Sequence, residues 1–125
     1  MVQSVMAYPE GRAGAGGLYG TLEVLILRTL SAGGPLHGLD VARRIHELSQ
    51  DVLDVEEGAL YPALHRLQRQ GLIEGEWRIS DKRRRARFYD ITDTGRGALR
   101  DEIANWIRHT DAVSKVLGLS EAKAP

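Results

Sequence analysis

A small, mainly helical α+β domain is the fold class predicted here, and three observations predict it. Apolar residues recur at helical spacing in three short segments between Thr21 and Gln70, and again in one long segment after Thr92. Between these, residues 73–91 change to a two-residue period interrupted by a basic run. The chain has 125 residues, the length of one domain built on one modest core.

The elements follow in order. Residues 1–17 are rich in glycine, carry Pro9 and show no apolar period, so they read as a flexible tail. From Thr21 the residues Leu22, Leu25, Ile26 and Leu30 keep helical spacing, with Thr21 expected as the N-cap and Glu23 in the first turn. Gly33, Gly34 and Pro35 end this helix. A second helix starts at His37 or Gly38, burying Val41, Ala42, Ile45 and Leu48 and leaving Arg43, Arg44 and Glu47 wet. Residues 52–55 are too few for a helix and read as a short strand or an extended connection. The third helix runs from about Glu56 to Gln70, with Leu60, Ala63, Leu64 and Leu67 on its core face and Gly71 to close it. Pro62 has no N–H to donate, so it is expected within the first turn or so.

The period then shifts. Ile73, Gly75, Trp77 and Ile79 alternate with Glu74, Glu76 and Arg78, the pattern of a half-buried strand. After Asp81–Arg85, the residues Arg87, Tyr89 and Ile91 alternate with Ala86, Phe88 and Asp90 as the return strand. The result is a β-hairpin with a charged tip, in which Arg87 is expected to pair with Glu74 or Glu76. Thr92 or Thr94 caps a final helix. Its residues Leu99, Ile103, Trp106, Thr110, Val113 and Leu117 step alternately by four and three, the seam of a helix–helix contact between copies of the chain. That seam is short, so the first helix, through Leu22, is expected to join the same interface.

Composition narrows the function. Hydrophobic residues make up 42% and charged residues 27%, ordinary for a globular chain. No disulfide, thiolate metal site or cysteine nucleophile is available, because there is no cysteine. His46 and Glu47 begin like a zinc-protease helix, but Gln50 stands where the second histidine is required. The glycines before Gly20 follow no strand and lack dinucleotide-binding spacing. Catalysis, a metal and a cofactor are therefore not expected. Neither a signal peptide nor a run of about 18 apolar residues is visible, so a soluble cytoplasmic protein without membrane contact is expected. The 17 basic and 17 acidic residues cancel overall, yet they are segregated. Residues 78–87 hold Arg78, Lys82, Arg83, Arg84, Arg85 and Arg87 against Asp81 alone, and a local cluster sets the field that a phosphate feels.

Two helices joined by a short turn, a third helix, and then a hairpin with a basic tip match a winged helix-turn-helix with a long C-terminal dimerisation helix. The domain plan is a tail over 1–17, a DNA-binding domain over 18–92, the dimerisation helix over 93–118 and a second flexible tail over 119–125. Segments 20–27 (GTLEVLIL), 34–38 (GPLHG), 55–67 (VEEGALYPALHRL), 71–73 (GLI), 84–89 (RRARFY) and 91–96 (ITDTGR) together resemble the PadR family of bacterial transcriptional regulators. The likeness covers roughly residues 18–118 in the right order, and the single helix after the wing resembles the family's compact subgroup.

That resemblance implies a homodimeric repressor that binds a palindromic double-stranded operator. It implies DNA contacts by His37, Gly38, Ala59, Tyr61 and Pro62, with the Tyr61 hydroxyl donating to a phosphate. Leu39 stands where the family often has an aromatic residue, and Ala59 where it often has serine or threonine, which removes one hydroxyl donor. His65 and Arg66 lie one turn further on, and Arg66 is the better reader of guanine. Lys82, Arg83, Arg84 and Arg85 form the wing tip, where arginines pair with phosphates. Packing on its own helix would equally account for Tyr61, and plain solvent exposure for His65 and Arg66. In some family members a tryptophan matching Trp106 lines a ligand space between protomers. The resemblance therefore implies a planar or apolar small-molecule effector against Ile103, Trp106 and Val113. A rival reading is a winged-helix protein-interaction module without DNA binding, because Asp51, Asp54, Glu56 and Glu57 would repel phosphates near the third helix.

Overall fold

The structure, a computed structural model, describes residues 20–119. The tail expected over 1–17, residues 18 and 19, and residues 120–125 of the second tail lie outside the described residues.

Helix α1 spans Thr21–Gly33 and is the centre of the domain. Leu22, Ile26, Leu27 and Leu30 are fully buried on it, and α2, α3, α4 and strand β3, whose limits follow, all pack against it. The expected cap is corrected here. Gly20 is the N-cap, Thr21 is already helical, and its buried Oγ1 meets no hydrogen-bond partner. At the other end the Gly34 N–H returns to the Leu30 carbonyl (2.9 Å).

A two-residue strand, β1 (Leu36–His37), leads into α2 (Gly38–Leu48). His37 caps α2, its Nδ1 accepting from the Leu39 N–H (3.1 Å). Val41 and Ile45 are buried, but Leu48, expected inside, is 70% exposed. The apolar stripe of α2 outlasts the core, because the chain reverses at once through Gln50 and Asp51 in left-handed conformation (φ 56° and 67°). Residues 52–55 form no strand. The connection is pinned by side chains instead: the Leu53 N–H donates to Ser49 Oγ (2.9 Å), and His46 Nδ1 donates to the Leu53 carbonyl (3.0 Å).

Helix α3 covers Glu57–Arg69 and buries Leu60, Ala63, Leu64 and Leu67, as its period predicts. Pro62 is its sixth residue, deeper than the first turn, and it cannot donate to the Gly58 carbonyl. Gly58 is exposed, so water can serve that carbonyl. Gly71 (φ 75°) ends α3 in a Schellman arrangement, with the Leu72 N–H returning to Leu67 and the Gly71 N–H to Gln68 (both 3.0 Å).

Strands β2 (Ile73–Ile79) and β3 (Arg85–Ile91) form the hairpin, with Ile73 opposite Ile91 and Ile79 opposite Arg85. β1 pairs with the far edge of β3, giving an antiparallel sheet in the order β1-β3-β2. Of the face expected to be half-buried on β2, only Ile73 is buried; Trp77 is 55% and Ile79 67% exposed. The hairpin projects beyond the helices, and among the described residues no layer covers its outer half.

Helix α4 (Asp93–Leu117) is capped by Thr92, the first of the two threonines expected there. The Thr92 hydroxyl accepts from the Gly95 N–H (3.0 Å) and donates to the Gly71 carbonyl (2.7 Å), so one side chain joins the end of α3 to the start of α4. Gly95 is packed so closely that a Cβ there would collide with the Leu72 carbonyl oxygen and lie 2.8 Å from Ile91 Cγ1. Backbone oxygen cannot yield cheaply. Gly95→Ala is expected to destabilise the domain by about 3 kcal/mol through overpacking, and Thr92→Ala by ~1–2 kcal/mol through the lost cap. Urea unfolding followed by circular dichroism checks both.

Candidate nucleic-acid interface

With its apolar stripe committed to α1, α3 presents Tyr61, His65, Gln68 and Arg69 on the other side, at helical spacing. The same face of the hairpin supplies Trp77, Arg85, Arg87 and Tyr89, and His37 comes from the start of α2. Together these line an open groove of about 800 Å³ between α3 and the wing. Among the described residues, no carboxylate lines it. Three arginines, two histidines, two phenols and an amide do, so the groove is rich in donors and positive in potential.

Tyr61 is half-buried where α3 meets the start of α2, so close that a Cβ on Gly38 would stand 3.2 Å from its hydroxyl. Burial, then Glu57 and Tyr89, raise its pKa above the usual phenol value. Arg85 lies over the Trp77 ring with Cζ 4.7 Å from its centre, and Arg87 at 5.5 Å. Gly75, opposite Tyr89, leaves room for the Arg87 side chain, whose Nε would lie 2.9 Å from any Cβ placed there.

At the tip the Arg83 N–H donates to the Ser80 carbonyl (2.9 Å) and the Ser80 N–H to the Arg84 carbonyl (2.7 Å). Arg83 itself is left-handed, φ 59°. This is the three-residue hairpin loop in which glycine is the conformationally favoured occupant. An arginine holds that position at a cost of roughly 1 kcal/mol in backbone strain. Lys82, Arg83, Arg84 and Arg85 are all exposed.

The family model for the transcriptional regulator PadR-like family matches residues 26–101. The chain belongs to that family. It is 42% identical over 72 residues to the transcriptional regulator Rv3488 of Mycobacterium tuberculosis, a match covering 58% of this chain and 64% of that relative, less than two thirds of its length. A PadR family transcriptional regulator from Eggerthella lenta is similar in structure (TM-score 0.66, 33% identity, 78% of this chain and 82% of that one). Bacillus subtilis PadR, solved in complex with operator DNA, is similar over 66% of this chain and 47% of its own (TM-score 0.58, 27% identity). The winged helix-turn-helix closed by a long helix is thus the fold of a PadR-like transcriptional regulator. Among the described residues no helix is long and apolar enough to cross a membrane, and no cluster of histidine, aspartate and glutamate could hold a metal.

Within this PadR-like fold the structure gathers His37, Gly38, Tyr61, His65 and Arg85 around one groove and places Lys82, Arg83 and Arg84 at its outer end. Pro62 is exposed on α3, and Ala59 packs against the core. Arg66, the expected base reader, is a correction. Its guanidinium is turned to α1 and grips the buried Glu23 carboxylate, Nε at 2.8 Å and Nη2 at 2.5 Å from Oε2. Arg87 is another, stacking beside Trp77 because Glu74 and Glu76 lie on the opposite face of the hairpin.

Two residues of the expected dimer seam are also corrected. Leu22 (1% exposed) and Leu99 (5%) lie inside the protomer's own core, where α1 and α4 pack together, and offer a partner no surface. Ile103, Trp106, Val113 and Leu117 are exposed beyond that packing, Thr110 is half-exposed, and Ile107 adds to their face. The sequence reading also missed Gln68, Arg69 and Trp77 in the groove. Counting seven and eight residues on from Tyr61 would have found the first two.

The Glu23–Arg66 pair is buried enough to matter. Glu23→Ala removes the carboxylate that Arg66 grips and is expected to cost about 2 kcal/mol. Glu23→Leu combined with Arg66→Met is expected to recover most of that loss, measured by chemical denaturation.

Proposed function

We propose that this chain is a cytoplasmic, homodimeric, sequence-specific repressor that reads a palindromic operator with α3 and its basic wing. The observation that carries the reading is the groove between α3 and the wing, which the described residues line with cations and hydrogen-bond donors and with no carboxylate. His65, Gln68 and Arg69 stand where a helix laid in the major groove turns its side chains to base edges. The Tyr61 hydroxyl and the Gly38 N–H at the start of α2 suit one phosphate. Lys82 to Arg85 suit the next stretch of backbone. The operator complex of the Bacillus subtilis relative supports duplex DNA as the partner.

Dimerisation rests on the apolar face of α4. Ile103, Trp106, Ile107, Val113 and Leu117 expose a stripe more than three turns long, which a second copy would cover. Two α3 helices related by that axis would meet half-sites about 34 Å apart. Trp106 with Ile103 and Val113 would supply flat apolar walls for a planar effector held between protomers. A candidate effector whose release of DNA is unaffected by Trp106→Ala would remove that pocket from the mechanism.

The test is fluorescence anisotropy of a duplex taken upstream of the chain's own gene against a shuffled duplex, over a range of salt. Selective binding that falls steeply with salt is expected; no binding at low salt would favour a protein-docking module. Arg83→Ala with Arg84→Ala is expected to weaken both duplexes alike and to lower the salt slope by about 2. Arg83→Gly is expected to separate stability from binding. It relieves the left-handed strain, adding about 0.5–1 kcal/mol to stability, while it weakens the duplex, as paired unfolding and anisotropy measurements would record.

A further inference from the structure

One side chain in the groove is of the wrong chemistry for phosphate. Trp77 is the largest apolar side chain on the hairpin and is 55% exposed. Ile79, two residues on and therefore on the same face of β2, is 67% exposed. Neither contributes to the core, and neither lies on the α4 face assigned to the second copy. An exposed apolar pair would gain from cover, and its neighbours narrow what can cover it. Arg85 and Arg87 lie over the indole, and Lys82, Arg83 and Arg84 follow at the tip. A partner here must be polyanionic and must also offer apolar surface within the reach of one side chain. The sugar–phosphate backbone of a duplex does both, because deoxyribose rings lie between successive phosphates.

We propose that Trp77, seconded by Ile79, packs on deoxyribose of the strand running between α3 and the wing while Arg85 and Arg87 hold the flanking phosphates. This rests on the reading of the groove as the operator-binding face, and adds to it a contact that carries no charge. Stacked on the ring, the two guanidiniums lose little freedom when they meet phosphates, so apolar and ionic contacts are made together.

The charge difference gives the test. Trp77→Ala, Trp77→Phe, Arg85→Ala and Arg87→Ala are compared in the full chain, with thermal unfolding confirming that each variant is folded. Anisotropy is read against the upstream duplex over a range of salt, and hydroxyl-radical footprinting reads deoxyribose exposure. Trp77→Ala is expected to weaken binding on the order of tenfold at every salt concentration with the slope unchanged. It is also expected to unmask one or two deoxyriboses per half-site, while Trp77→Phe retains most of the affinity. Each arginine variant is expected to lower the salt slope by about 1. Wild-type affinity in Trp77→Ala would overturn the proposal while leaving the operator-binding function intact. A loss accompanied by a fall in slope would also overturn it, showing that the indole serves only to hold the arginines. A wild-type chain that binds no duplex would instead overturn the underlying reading, and this contact with it.

Discussion

The direction in which α3 faces depends on one buried contact. Arg66 reaches from α3 to Glu23 on α1, a carboxylate only 7% exposed, at the point where the two helices pack. An ion pair of this kind adds little net stability compared with an apolar pair of the same shape, since both charges lose their water. Its effect is on choice. Turning α3 by one residue would rotate it about 100°, remove Leu60, Ala63, Leu64 and Leu67 from the core, and leave Glu23 buried without its partner. With that rotation excluded, Tyr61, His65, Gln68 and Arg69 can only face the wing, and the groove follows.

The second fixed relation is between α3 and the elements after it. Thr92 joins the Gly71 carbonyl to the first turn of α4, and Gly95 lies against the Leu72 backbone too closely for any side chain. The end of α3, the root of the hairpin and the start of α4 therefore move as one body. Their joint is backbone packed on backbone, which tolerates less adjustment than side-chain contact.

Most of the architecture was legible because it is written in local periods. The stripe of α3, the switch to alternation at Ile73, the Gly71 closure and the Thr92 cap each need only a few neighbouring residues. What was not legible depends on residues far apart in the chain. Arg66 reads as a free cation until Glu23, 43 positions earlier, is known to face it. Leu22 and Leu99 are apolar at helical spacing, which says that something covers them but not whether it belongs to the same copy. The strand Leu36–His37 is too short to carry a period and exists only through pairing with Phe88 and Tyr89. Trp77 looked like core from its alternation, and it is a surface residue because, among the described residues, no layer lies beneath the outer hairpin.

The segregation of charge explains how a chain with 17 residues of each sign can present a cationic face. Asp40 is occupied by Arg43 (2.7 Å), Asp51 by His46 (3.3 Å), Glu76 by Arg78 (3.0 Å) and Asp111 by Lys115 (3.1 Å), and Glu23 is taken inside by Arg66. The surface pairs contribute little to stability, yet they localise negative charge away from the groove, whose lining contains none among the described residues. This weakens the objection as far as Asp51 raises it, since Asp51 is turned back to α2. Screening beyond ~10 Å at ordinary salt makes the near field decisive. A phosphate in the groove meets arginines first, and the balance of charge over the whole chain has little bearing on what it feels.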